Sequence, residues 1–162
     1  LELMLPSGQP SGLSIKAFDT GTHAPRYAQS PTMKQPGSVI GLEIVDLNTQ
    51  GHLLYAPGIV TLNTAVRKAA ESAHCVMIDG TFWSNEELVQ MGLSTRTASQ
   101  MGHIPVGGKS GTLKWLSLLS AQHRVYVHIN NTNPMLDESG PQYHTVTSNG
   151  IRVGQDGDTF TL

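Results

Sequence analysis

The sequence predicts a layered α/β domain. Three observations carry that reading. Alternating apolar stretches joined by turn chemistry fill the first part of the chain, as in β-hairpins. Apolar strand-like runs then alternate with helical patterns in the second part, as in αβ units. Finally, 162 residues is the length of one domain with a sizeable core, and no internal repeat divides it, so residues 1–162 read as a single domain.

Each element has its own signal. Residues 1–5 read as the end of a strand that lacks its beginning, Pro6 to Pro10 breaks it, and residues 13–18 resume as a second strand. Residues 19–37 contain Gly21, Pro25, Pro31 and Pro36 without any period, which predicts a long loop holding His23. Residues 39–47 alternate, Asn48-Thr49-Gln50-Gly51 is turn chemistry, and residues 52–57 return as the partner strand with His52 facing solvent. A short helix over residues 63–72 follows, with Asn63 or Thr61 as N-cap and Ala65, Val66, Ala69 and Ala70 on one face. Cys75 to Ile78 is a continuous apolar strand ending in Asp79-Gly80-Thr81-Phe82-Trp83.

The second part continues the alternation. Ser84 as N-cap and Glu87 at the capping-box position predict a helix that stops by Gly92. Met101-Gly102-His103 lies in a glycine-flanked loop, and a helix over residues 110–122 carries Leu113, Leu116 and Trp115 toward a sheet. Val125 to Ile129 is a strand, residues 137–147 a short helix, and residues 150–160 a terminal β-hairpin.

Composition narrows the function. Charged residues are 14% of the chain and the formal net charge is −2 with no block of like charges, against a nucleic-acid stripe or a polybasic membrane patch. Apolar runs are short and interrupted, so no membrane span is expected. Glu2 and Pro6 interrupt the first residues without a basic region before them, so no signal peptide is expected and a cytoplasmic location is the default. The single cysteine, Cys75, allows neither an internal disulfide nor a cysteine-built zinc site, and its place in an apolar strand reads as buried and inert.

Chemistry concentrates at the ends of two strands, where open α/β sheets hold ligands. His128 is the strongest metal-ligand candidate, because a strand terminus fixes the direction of its imidazole. Asp79 is either a ligand or a structural carboxylate accepting from the amides of Thr81 or Phe82. His103, in a flexible glycine-rich segment, suits a general acid or substrate contact, the alternative being a surface histidine. Asn130, Asn131 and Asn133 can orient a substrate or simply form Asx turns, and Arg96 can clamp a carboxylate or stay solvated. Gly107 to Thr112 lacks the spacing of a phosphate-binding loop. A catalytic metal needs three or four protein ligands, and His128, Asp79 and His103 exhaust the supply. Either the protein is not a metal enzyme, or part of the site lies on another chain.

Several stretches resemble a known family: Leu54-Tyr55-Ala56-Pro57-Gly58, Asp79-Gly80-Thr81-Phe82-Trp83, Thr95-Arg96-Thr97, Met101-Gly102-His103 and Val127 to Asp137. They are similar to the C-terminal half of the PqqB family (coenzyme PQQ synthesis protein B) of the metallo-β-lactamase superfamily. The resemblance runs from about Leu13 to the end and is most specific in His128-Ile129-Asn130-Asn131-Thr132-Asn133-Pro134. It implies the C-terminal half of an αββα sandwich whose two halves share a metal site. It also implies that His128 is a metal ligand, that His103 matches a proton-transfer histidine of tRNA-processing relatives, and that Asp79 is the acidic neighbour. Gly58 stands where those relatives carry a metal-bridging aspartate, which favours a mononuclear site of iron or zinc. The N-terminal half, with its cysteine cluster and Asp-His motif, is absent from the sequence.

Two functions follow from the resemblance. One is metal-dependent oxidation, a tyrosine hydroxylation, of a pyrroloquinoline quinone (PQQ) precursor, with Arg96, Asn130 and Asn131 as substrate contacts and the site completed by the missing N-terminal half or a partner polypeptide. The other is a non-catalytic carrier or transport accessory for PQQ or its precursor. A homo-oligomer is a further expectation, since half a sandwich leaves a sheet face open.

Overall fold

Among the described residues, seven strands form one sheet in the order in which they occur along the chain. The computed structural model describes residues 1–21 and 37–162; His23 and most of the predicted long loop lie outside the described residues. Strands β1 (Glu2–Met4), β2 (Pro10–Gly21), β3 (Val39–Asp46) and β4 (His52–Ala56) pair antiparallel. From β4 onward the pairing is parallel, through β5 (Cys75–Asp79), β6 (His123–Val127) and β7 (Arg152–Val153). Helix α1 (Thr64–Ser72) makes the first parallel crossover. The short helices α2 (Glu87–Gln90), α3 (Ala98–Met101) and α4 (Leu113–Ser117) make the second, and a 3₁₀ turn (Pro134–Leu136) and α5 (Pro141–Ser148) make the third.

Side-chain alternation sorts the strands into two faces. Leu54, Ala56, Val76, Ile78, Tyr126 and Val153 point to one face, where they form the buried core with Val66, Ala69 and Ala70 of α1, Leu116 of α4 and Val146 of α5. The opposite face aligns Ile15, Ile44 and Leu53 in one row and Ala17, Leu42, Tyr55, Met77 and Val125 in the next. None of those eight belongs to the helix-covered core cluster; Val125 is buried on this face, whereas Tyr55 is 37% exposed. The helices therefore cover one face of the sheet, as the resemblance to half of an αββα sandwich implied. Among the described residues no helix is long and apolar enough to cross a membrane.

Several elements differ from their predicted form for identifiable reasons. The β3–β4 hairpin and α1 stand where expected, and Asn63 caps α1 by accepting from the Val66 amide at 2.9 Å. The helix expected over residues 110–122 contracts to five residues. Its carboxyl end is closed by Arg124, whose Nη1 donates to the carbonyls of Ser117 (2.9 Å) and Leu119 (3.3 Å), so tertiary contact supplies the cap. The terminal hairpin does not form. Arg152 and Val153 instead extend the parallel ladder beside β6, and the tail folds back so that Phe160 lies 5.1 Å from the His123 ring and beneath the Arg152 guanidinium. The capping box occurs at Thr97 and Gln100 of α3 rather than at Ser84. His52 is half-buried instead of solvent-facing, and its Nδ1 lies 3.0 Å from the Ser72 carbonyl.

Candidate metal centre

Parallel pairing brings the carboxyl ends of β5 and β6 side by side, with Asp79 opposite Val127 in register. Gly80 then lets the chain leave β5 without opening the sheet. A Cβ there would stand 2.8 Å from Tyr126 Cβ and 2.9 Å from Met135 Cε, a space only glycine leaves free. The Gly80 amide continues the ladder to the Val127 carbonyl at 2.8 Å, and Asn133 Nδ2 holds the Gly80 carbonyl at 2.9 Å. Thr81 is thereby placed beneath the residue that follows β6, which is His128.

Asp79 is fully buried, and its carboxylate is committed to four donors. Oδ2 accepts from the Ile59 amide at 3.0 Å and from His103 Nδ1 at 2.7 Å. Oδ1 accepts from the Thr81 amide at 3.0 Å and from the Thr81 hydroxyl at 2.5 Å. Burial alone pushes this carboxyl upward, but the hydrogen bonds from His103 and Thr81, with the His128 imidazole nearby, together hold it below the ordinary range. The alternative of a structural carboxylate, accepting from the Thr81 amide, describes this geometry.

His103 is fixed more firmly than its glycine-rich setting suggested. Gly102 ends α3 in the left-handed conformation (φ 94°), and the His103 amide donates back to the Ala98 carbonyl at 3.0 Å. Ile104 is tied to the Ile59 carbonyl (2.8 Å) and Val106 to that of Phe82 (2.9 Å), so the segment is laced to both neighbouring loops. The imidazole is 19% exposed, meets the Phe82 ring edge-on and stacks on His128 at 5.5 Å between centroids.

His128 sits at φ 56°, a left-handed conformation that non-glycine residues rarely adopt and that concentrates at functional positions. Its side chain is 54% exposed, and Nδ1 lies 2.8 Å from Thr81 Oγ1 and 3.9 Å from Asp79 Oδ1. The Asp79 carboxylate raises this imidazole above its ordinary value, with partial burial opposing. One ligand-type atom from each of Asp79, His103 and His128 lies within 4.8 Å of the others, a grouping able to hold a metal ion.

The remaining sequence candidates are arranged less tightly. Asn130 Nδ2 is spent on Thr132 Oγ1 at 2.5 Å, and Thr132 donates on to the buried Glu87 at 2.6 Å. Glu87 also accepts from the Trp83 amide at 2.6 Å, so the predicted capping residue anchors the turn after β5 instead. Asn131 is exposed. The Arg96 guanidinium makes no hydrogen bond or ion pair among the described residues. Asn133 takes the second of its two alternatives, an Asx turn, accepting from the Met135 amide at 3.0 Å. Sequence reasoning passed over Thr81, although Asp-Gly-Thr at a strand end is itself an Asx-turn signal. A cleft of about 410 Å³ opens beside His128, between Met77 and Val127 of the uncovered face and Asp156, Asp158 and Phe160 of the tail.

Residues 5–129 match the family model of the beta-lactamase superfamily domain, and the chain belongs to the metallo-β-lactamase superfamily. Within it, the chain is similar to coenzyme PQQ synthesis protein B. It is 38% identical to that protein from Azoarcus sp. (strain BH72) over 152 residues, covering 93% of this chain and 50% of the relative. The Methylococcus capsulatus protein is also 38% identical, over 151 residues, with the same coverage of 93% and 50%. The crystal structure of Zn²⁺-bound PqqB from Methylobacterium extorquens superposes with a TM-score of 0.84 at 29% identity, over 93% of this chain and 51% of that one. The chain spans about half the length of the relatives it matches.

Proposed function

We propose that this chain contributes to PQQ biosynthesis as one half of a metal-dependent enzyme that oxidises a PQQ precursor, by hydroxylation of its tyrosine. The observation that carries the reading is the convergence of Asp79, His103 and His128 at adjoining strand ends in a chain similar to PqqB. The donor chemistry fits a divalent metal, since neutral imidazole suits both iron and zinc. His128 is the ligand on this chain, with its Nδ1 occupied by Thr81 and its outer nitrogen free. Asp79 is taken up by four donors and serves to orient, while His103, held by Asp79 and stacked on His128, is placed to move a proton at the substrate. A bound iron would supply activation of dioxygen, the oxidant that hydroxylation requires together with an external reductant.

One histidine and one neighbour fall short of the three or four donors of a catalytic site. The remaining ligands are assigned to a polypeptide outside these 162 residues, corresponding to the part of the relatives that the chain does not span. The uncovered sheet face, with Leu53 and the in-register pair Tyr55 and Met77, is where that polypeptide would pack. Arg96, Asn130 and Asn131 are the candidate substrate contacts.

Calorimetric titration of the chain with Zn²⁺ and Fe²⁺ tests the assignment. Weak binding that disappears in His128→Ala is expected. Tight stoichiometric binding that survives His128→Ala overturns it. For the reaction, the chain is mixed with the N-terminal half of a relative, Fe²⁺ and a reductant, and a glutamate–tyrosine peptide is followed by mass spectrometry. Gain of one oxygen atom supports the enzyme, whereas binding of PQQ without turnover supports a carrier.

A further inference from the structure

Thr81 is 7% exposed and its single hydroxyl lies within hydrogen-bonding distance of four partners. These are Asp79 Oδ1 at 2.5 Å, His128 Nδ1 at 2.8 Å, the His128 carbonyl at 3.0 Å and His103 Nδ1 at 3.1 Å. A hydroxyl has one proton to give and two lone pairs with which to accept. The carboxylate is both the nearest acceptor and the only charged one, so the proton goes to Asp79. With the proton spent, Thr81 Oγ1 offers only lone pairs, and a ring nitrogen facing it must donate. His128 Nδ1 therefore carries the hydrogen, and the lone pair of the neutral ring falls on Nε2.

The same logic reaches His103 by another route. Its Nδ1 faces Asp79 Oδ2 at 2.7 Å, an atom with no proton to offer, so this ring too carries its hydrogen on Nδ1. Asp79 does not reach His128 directly, because 3.9 Å is beyond a hydrogen bond. Its influence on that tautomer runs through the hydroxyl.

We propose that Thr81 is a positioning residue that relays the Asp79 carboxylate to His128, holding His128 as the Nδ1–H tautomer with Nε2 free for a divalent metal. Hydrogen bonds of this kind behind a metal-bound histidine fix its tautomer and ring direction. The inference deepens the metal-centre reading and rests on it for the identity of the ligand, while the tautomer itself is a property of the metal-free chain.

Long-range ¹H–¹⁵N correlation of the imidazoles in the metal-free 162-residue chain tests the relay. His128 is expected to show a protonated Nδ1 and a bare Nε2 at a pH where the ring is neutral. Thr81→Val, which keeps the shape and removes the hydroxyl, is expected to shift His128 toward the Nε2–H form; Thr81→Ser is expected to retain Nδ1–H. Zn²⁺ affinity, read by calorimetry, should fall about 10–100-fold in Thr81→Val and recover in Thr81→Ser. A wild-type spectrum with Nε2–H on His128 overturns the proposal even if Thr81→Val does not fold, and so does an unchanged Nδ1–H in a folded Thr81→Val. If the tautomers behave as expected while His128→Ala leaves Zn²⁺ binding intact, the relay stands and the metal assignment fails.

Discussion

Replacing Asp79 with asparagine changes a carboxylate to an amide of nearly the same shape at the most enclosed point of the site. The carboxylate is 0% exposed and accepts from the Ile59 amide, the Thr81 amide and hydroxyl, and His103 Nδ1. An asparagine can keep its oxygen toward the two Thr81 donors, but its amino group then faces the Ile59 N–H and His103. His103 can switch tautomer and accept; the Ile59 amide cannot. One buried donor left unpaired costs about 1–3 kcal/mol, and the surviving bonds lose their charge-assisted strength, for a total of about 3–5 kcal/mol. Against a typical domain stability of about 5–15 kcal/mol this is a large share. Urea unfolding followed by Trp83 and Trp115 fluorescence measures it, with exposed Asp156→Asn as a control expected to change little. The carboxyl of Asp79 is held below its ordinary value, so its contribution is complete above the unfolded value of about 3.9 and is lost as pH falls through the folded value. The gap between wild type and Asp79→Asn should therefore narrow in acid. A loss of less than about 1 kcal/mol at pH 7 would refute the four-donor account of this site.

Three further outcomes follow from single positions. His128→Gly removes a left-handed strain of about 1 kcal/mol and a hydrogen bond of similar worth, so unfolding should show stability within about 1 kcal/mol of wild type while Zn²⁺ binding is lost. Because His128 is raised above its ordinary value, the stability it adds to the metal-free chain is present below an unfolded value of about 6.5. It should fade as pH rises through the folded value, which unfolding curves across neutral pH would detect as a difference from His128→Gly. Gly80→Ala forces a Cβ against Tyr126 and Met135, an overpacking of about 1–3 kcal/mol that a thermal melt should report; an unchanged melting temperature would count against the tight β5 exit. Cys75 is 1% exposed and burial pushes its thiol up to about 11, so a thiol reagent at pH 8 should label it only after denaturation, and rapid labelling of the native chain would contradict its burial.

The uncovered face and the metal-ligand cluster belong to the same sheet. Strands β4, β5 and β6 are apolar on both faces, as buried parallel strands are, yet helices cover only one. Among the described residues, the ligand-type cluster at the carboxyl ends of β5 and β6 is limited to Asp79, His103 and His128, and the Asp79 carboxylate is already taken up by its own donors. On the proposed reading both features belong to one interface; the chain spans about half the length of the relatives it matches.

Local chemistry determined much of this protein. The β3–β4 hairpin was legible because its turn residues and alternation act within a few positions, and α1 because Asn63 and a small apolar face mark it directly. The strand ends carrying Asp79 and His128 were legible for the same reason, and those two with His103 are the cluster that the structure assembles. Tertiary structure decided the rest, because the deciding partners are distant in sequence. Arg124 ends α4 by taking carbonyls that periodicity would have continued as helix, and the free edge of β6 recruits Arg152 and Val153 away from a local hairpin. Glu87 abandons a cap to bind Trp83 and Thr132. Thr81 became visible only when β5 and β6 lay side by side, since a hydroxyl has no role in a metal site until the carboxylate and the imidazoles surround it.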